Sequence, residues 1–572
     1  MPIQSQDLSW VETTLNSMTV EEKVGQLFVA DLVAVYSHHD SPNYRYAIKM
    51  LHRYHVGGFV LAGGTVTDIA LMTNALQRES KIPLLINADL ESGLAFLHPW
   101  RYLRGRGPEL PRYVAGGGTV FTSLMAFGAT GNPQYAYELG RVTARESRAI
   151  GIHWTNTPVA DVNNNPHNPI INTRSFGEEP LQVAKFVEAY VRGLQANGMM
   201  ATLKHFPGHG DTEEDTHIKL PVLPFDENRL NAVELIPFKA GIAAGAKVVM
   251  TSHLALPKID PSKRPATLSY PIITGLLREK LGFQGIVVTD GMTMQGITNH
   301  YDADEAAVLA LAAGVDMILV PADFEKAYQG VLAAVKSGRL SEKRLEESVR
   351  RILVAKSWLG LDQSRFVDIE NVSREVGAPE SEALSEQIAN ASVTLLRNHN
   401  NLIPLSKTAR VHIVTITEAP NLEVGRELEQ ALQPHVAAVA VTRLSNESSQ
   451  ESIQQVVVNF KEFDAVLMGV YFSIGAWKGA HRFAPAIEEF LAQIGRLPKP
   501  IITVAFGDPY VLAKLPTTEV VMTPYTGAPI GERAIGKAII GKIAVTGKLP
   551  VTIPGKYKLG EGMQLFLKRA IE

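Results

Sequence analysis

The sequence predicts an α/β protein: an N-terminal (β/α)8 TIM-like barrel over residues 1–365, a linker over 366–380, and a smaller doubly wound α/β sandwich domain over 381–572. Three observations lead there. The 572 residues exceed what one hydrophobic core usually supports. In the first part of the chain, eight short apolar runs alternate with amphipathic stretches, the pattern of strands buried on both faces between helices. A second, shorter alternation then begins at Ser381.

The eight runs lie at 24–32, 56–62, 83–88, 154–162, 199–204, 247–254, 285–289 and 317–320. The stretches 133–150, 181–197, 228–245 and 303–314 between them are amphipathic. Thr19 and Glu22 have capping-box spacing and place a helix start before the first strand. Eight strands alternating with helices fit a closed barrel, although an open doubly wound sheet gives a similar local pattern. The rhythm is lost over 361–378. Beyond it, strands are predicted at 411–417, 436–442, 464–470, 501–506 and 519–524, enough for a doubly wound sheet. The Gly-rich piece at 115–119, inside the stretch 97–129, has no strand–turn–helix context for a dinucleotide fingerprint. It reads as a mobile loop at the barrel mouth.

Composition narrows the function. Hydrophobic content of 45%, charged content of 20% and a formal net charge of −3 are ordinary for a globular protein. They give no reason to expect nucleic acid or a membrane surface as partner. The chain has no Cys, which excludes disulfides, thiolate metal sites and a Cys nucleophile. No run of about 20 apolar residues suggests a membrane span. The first residues lack the basic and apolar segments of a secretory signal, so a cytoplasmic monomer or homodimer is expected.

Three segments carry chemistry. The first, KHFPGHGDTEEDTH (204–217), packs one Lys, three His, two Asp and two Glu into 14 residues directly after a predicted strand. In a barrel, such loops build the active-site face. Pro207, Gly208 and Gly210 forbid a regular helix, so His205 and His209 do not form an i, i+4 zinc pair. Two other readings stay open here: a loop of solvated charges, and a metal site using His205, His209, Asp211 and His217. The second segment, GIVVTDGMTM (285–294), ends an apolar strand at Asp290. That carboxylate suits a nucleophile, a metal ligand or a helix N-cap, the N-cap being as common as catalysis at such a position. The third, 161–177, is an irregular loop rich in Asn and Pro. Its Arg174 can offer a fork of hydrogen bonds to sugar hydroxyls, or hold the loop by pairing with Asp161 or Glu178.

Together these segments resemble glycoside hydrolase family 3, in its β-N-acetylglucosaminidase branch. MTVEEKVGQL (18–27), LLRNHNNLIP (395–404) and GKLPVTIP (547–554) extend the resemblance over nearly the whole chain. The resemblance implies a retaining exo-β-N-acetylglucosaminidase acting on peptidoglycan fragments or chitooligosaccharides, and no metal or cofactor is expected. It implies that Asp290 is the nucleophile and His217 the general acid/base, with Asp215 as its partner. Arg174, Lys204 and His205 match positions that hold sugar hydroxyls, and Asp89 matches the first residue of a further such segment. Here that segment reads Asp89-Leu90-Glu91-Ser92-Gly93, with Leu90 and Ser92 in place of the family's Gln and Gly. Thr216 stands where Ser is more frequent.

An imidazole acid/base works near neutrality without elaborate tuning, and a neighbouring carboxylate fixes its tautomer. In an extended loop, residues i and i+2 share a side, so Asp215 and His217 are expected to face the sugar together on a loop able to swing. A neutral base does not repel phosphate, so inorganic phosphate is an alternative acceptor that would give a sugar 1-phosphate. A catalytically silent sugar-binding protein is the non-enzyme reading. In the second domain, Trp477 and His481 lie in a loop after a predicted strand and are candidates to touch substrate, an ordinary surface loop being the commoner case.

Overall fold

A computed structural model describes residues 5–96, 117–472, 482–497 and 499–566. Each of the eight predicted runs contains a parallel strand: β1 (Phe28–Val33), β2 (Gly58–Ala62), β3 (Leu85–Ala88), β4 (Trp154–Thr155), β5 (Met200–Phe206), β6 (Val248–Thr251), β7 (Ile286–Val288) and β8 (Ile318–Leu319). Their order is β7-β6-β5-β4-β3-β2-β1-β8, and a parallel bridge from Val288 to Met317 joins the two ends of that row. The sheet is therefore a barrel and not an open doubly wound layer.

Two boundaries differ from expectation. The run at 24–32 begins in a helix: Val20–Gln26 lies behind a capping box in which Glu22 N–H donates to Thr19 Oγ1 (3.2 Å) and Thr19 N–H to Glu22 Oε2 (3.0 Å). The strand starts only at Phe28. The run at 154–162 has two strand residues, after which the chain meets β5 once more through a bridge from Val159 to Lys204. Apolar character marked these segments as buried, which they are, but burial does not distinguish strand from helix or loop.

The barrel interior is filled with side chains, as closure of eight strands requires. Trp154 is fully buried there and donates from its indole N–H to Thr202 Oγ1 at 2.6 Å.

The second domain is a six-stranded sheet in the order β11-β10-β12-β13-β14-β9. Five of its strands were predicted: β10 (Arg410–Thr417), β11 (Ala438–Ser445), β12 (Ala465–Phe472), β13 (Ile501–Gly507) and β14 (Val520–Thr523). The sixth, β9 (Thr394–Asn398), was not. It runs antiparallel to β14 along the sheet edge. The helix Pro379–Ser392 leads into it.

The two domains share a seam. Met125, Ala126 and Ala129, from a short helix at the barrel's edge (Leu124–Thr130), belong to the apolar core of the second domain. Asn163 Nδ2 donates to the Tyr510 hydroxyl at 2.7 Å, and Glu178 accepts from Thr552 N–H (2.7 Å) and its hydroxyl (2.6 Å). These contacts brace the 161–177 loop from the second domain. Among the described residues, no helix is long and apolar enough to cross a membrane.

Candidate active site

The candidate residues of the barrel lie in the last residues of its strands or on the loops that follow them, the face where the loops of this fold converge. The segment Asp89–Gly93 follows β3. Leu90 is fully buried, and the Tyr190 hydroxyl donates to the carbonyls of Leu90 (3.2 Å) and Glu91 (3.1 Å), which sets the loop's path. Glu91 is 5% exposed and sits between two cations. Arg174 clasps it from Nη2 (2.7 Å) and Nε (3.0 Å), and Lys204 Nζ reaches it at 2.8 Å. Lys204 also lies 3.3 Å from Asp89. The expected structural partners of Arg174 were Asp161 or Glu178; its actual partner is Glu91. Burial alone would raise the Glu91 carboxyl, but Arg174 and Lys204 outweigh it and hold it well below the usual carboxylate range. Lys204 is raised in turn: burial opposes its charge, and Glu91 and Asp89 more than compensate.

Asp161 organises the next layer. It is fully buried at the end of the β4 segment. Its carboxylate faces His205 Nδ1 at 2.7 Å and accepts the backbone N–H of His205 (3.1 Å) and of His209 (2.7 Å). Nδ1 of His205 is thus engaged, which leaves Nε2 as the nitrogen to meet a ligand. Gly210 packs so tightly here that a Cβ would lie 1.7 Å from the Val162 carbonyl oxygen, so no other residue fits.

Asp215 and His217 do come together. His217 Nδ1 is 2.7 Å from Asp215 Oδ1, and the same oxygen accepts the His217 N–H at 2.8 Å. The expected extended segment is instead a turn: Ile218 and Lys219 N–H both donate to the Asp215 carbonyl. A short polar side chain bonding the backbone two residues on is what closes such turns. The turn is stapled to the loop after β7, where Gln295 N–H donates to the His217 carbonyl (3.2 Å) and Gly296 N–H to the Thr216 carbonyl (3.2 Å). A Cβ on Gly296 would approach the Thr216 and Lys219 carbonyls to 3.1 Å, which crowds the staple.

Asp290 stands two residues beyond β7. Its Oδ1 accepts the Gly291 N–H at 2.7 Å. It does not cap the following helix (Gln295–Thr298), whose N-cap is Met294. Burial favours the neutral acid, but His205, His253 and His217 together pull the group down to about 2. A carboxylate ringed by imidazoles, with one oxygen tied to its own backbone, is built to stay ionised beside a bound ligand.

Comparison with known proteins gives the family. Residues 19–355 match the model of the glycosyl hydrolase family 3 N-terminal domain, and residues 393–565 match that family's C-terminal domain. The chain belongs to glycoside hydrolase family 3. It is 30% identical over 566 residues to a β-N-acetylglucosaminidase/β-glucosidase of Cellulomonas fimi, covering 95% of each chain. It is similar to the solved family 3 β-N-acetylglucosaminidase of Paenibacillus sp. str. FPU-7, at 33% identity and a TM-score of 0.81, over 94% of this chain and 99% of that one. A β-glucoside phosphorylase superposes with a TM-score of 0.83 at 26% identity, over 96% and 97%.

In this family 3 glycoside hydrolase, two residues of the alternative metal reading have other partners. Asp211 turns away to Arg229 at 2.9 Å, and His217 is engaged with Asp215. Among the described residues, no group of three His, Asp or Glu has metal-holding geometry. Three site residues went unassigned in the sequence. Glu91 lies two positions from Asp89 and could have been found as the missing counterion for Arg174 and Lys204. Asp161 was considered only as a partner for Arg174. His253, fully buried, faces the Gly291 carbonyl through Nε2 (3.1 Å) and Thr267 through Nδ1 (2.8 Å), and nothing in its local sequence marks it. Trp477 and His481 lie outside the described residues.

Proposed function

We propose that this chain is a retaining exo-β-N-acetylglucosaminidase that releases terminal N-acetylglucosamine from peptidoglycan fragments or chitooligosaccharides. The carrying observation is the pairing of Asp215 with His217 on a turn tied to the loop that follows Asp290. Asp89, Arg174, Lys204 and His205 hold hydroxyls of the terminal sugar, with Arg174 and Lys204 pre-aimed by Glu91. Asp290 attacks C1 as His217 gives its proton to the departing glycosidic oxygen; the C1–O bond breaks and a glycosyl-Asp290 ester forms. His217, now neutral, takes a proton from the incoming water, which attacks C1 and frees Asp290. Asp215 stabilises the imidazolium and fixes the tautomer that presents Nε2. The similarity to two proteins named as N-acetylglucosaminidases supports the sugar.

Phosphate in place of water is the second reading, favoured by the likeness to a β-glucoside phosphorylase and by an acid/base that carries no negative charge of its own. One experiment addresses both. An aryl β-N-acetylglucosaminide is turned over with and without inorganic phosphate, and a slow-reacting 2-deoxy-2-fluoro glycosyl fluoride is used to trap the enzyme for peptide mapping. A label on Asp290 and a β-configured first product are expected. A label elsewhere, or an inverted product, overturns the mechanism; a sugar 1-phosphate shows that phosphate is the acceptor.

A further inference from the structure

The segment 204–217 holds a histidine that the mechanism above does not use. His209 is 2% exposed and sits edge-on to His205, with ring centroids 5.8 Å apart. Asp161 fixes its backbone N–H. Its Nε2 lies 3.1 Å from the Thr216 hydroxyl, and Thr216, also 2% exposed, is the residue between Asp215 and His217. Its Nδ1 is buried with no hydrogen-bond partner among the described residues.

These facts select a tautomer. A neutral imidazole carries one N–H, and an orphaned buried donor is rarer in folded proteins than an orphaned acceptor. The proton therefore sits on Nε2 and is donated to Thr216 Oγ1. Burial, with His205 beside it, holds the ring down at about 4 against the pull of Asp161, its own backbone and Asp290, so this single-donor state persists near neutrality. The turn is then gripped from two sides: its backbone by Gln295 and Gly296 from the β7 loop, and its central side chain by His209 from the β5 loop.

We propose that His209 is a positioning residue, whose Nε2–H bond to Thr216 sets the orientation of His217 for proton transfer. This rests on His217 being the acid/base. It also explains why a hydroxyl residue occupies the middle of the Asp215–His217 turn.

The test compares Thr216→Val, Thr216→Ser, His209→Gln and His217→Ala on aryl β-N-acetylglucosaminides whose phenols span a wide range of acidity, with thermal midpoints measured alongside. A misoriented acid penalises poor leaving groups and spares good ones, because the latter need little protonation. Thr216→Val is expected to lower kcat/KM, which reports the acid-assisted step, by about tenfold on the poorest phenol, with little change in kcat/KM on the best phenol. Thr216→Ser, which keeps the hydroxyl, returns most of the loss. His209→Gln, which keeps a donor of similar reach, falls between the two, and should it fail to fold, the Thr216 pair decides. If His217→Ala steepens the leaving-group dependence while Thr216→Val lowers all substrates equally or none, the proposal is overturned and the acid/base assignment stands. If His217→Ala itself leaves that dependence unchanged, the assignment falls and the positioning role falls with it.

Discussion

Two aspartates, at opposite ends of neighbouring barrel strands, have opposite fates. Asp316 precedes β8 at the amino end of the barrel and is fully buried. Its Oδ2 accepts from Arg278 (2.5 Å) and the Val287 N–H (2.9 Å), and its Oδ1 from Ser348 (2.7 Å) and Arg351 (3.0 Å). Asp290 follows β7 at the carboxyl end, is partly exposed, and among the described residues accepts one hydrogen bond, from the Gly291 N–H. Both are held below the usual aspartate range despite burial: Asp316 by Arg278, Arg344 and Arg351, Asp290 by His205, His253 and His217. A depressed carboxyl therefore does not mark a reacting group. What separates the two is spare acceptor capacity and the kind of positive neighbour. Guanidinium forks saturate a carboxylate and cement a fold, whereas imidazoles can lose their charge and leave the oxygens available.

The comparison breaks most visibly on Asp290→Asn. Removing the attacking charge should lower kcat/KM by roughly 10⁴-fold or more, with the thermal midpoint unchanged or higher because a desolvated charge is gone. A loss below about tenfold would place the nucleophile elsewhere. Asp316→Asn should show the reverse. Leaving Arg278, Arg344 and Arg351 without their shared anion should cost about 3 kcal/mol in denaturant unfolding, while kcat per folded molecule stays within about twofold. If activity collapses and stability does not, the division of labour between the two ends is wrong.

The smallest effect sharpens the comparison. The folded-state value of Asp290 is lowered, so its ionised form is lost only as pH falls through about 2. With an aryl substrate that needs little acid assistance, kcat/KM should show no acid limb above about pH 4. A limb centred in the ordinary aspartate range would mean that the three histidines do not act on Asp290 in solution.

Much of this was legible in the sequence, for reasons that can be named. Strands buried on both faces are nearly continuous apolar runs, so all eight barrel strands announced themselves. β9 did not, because Thr394–Asn398 lies at a sheet edge and has only two apolar residues, with polar residues at both ends. The pairing of Asp215 with His217 was readable through the family motif. Their environment was not. Glu91 and Arg174 are 83 positions apart, Asp161 and His205 are 44 apart, and no local spacing encodes such pairs. The turn at Asp215 was misjudged as extended because the rule of two-residue alternation holds for strands, whereas a side chain that bonds its own backbone overrides it.

The staple from Gln295 and Gly296 to the carbonyls of His217 and Thr216 has a consequence for redesign. On the proposed mechanism, the gap between Asp290 and His217 is a property of one short stretch of backbone, not of two independently wandering loops. Segments outside that stretch can be exchanged without retuning the gap. The stretch from Gly291 to Gly296 cannot: lengthening it by a single residue would shift Asp290 and His217 out of step at once.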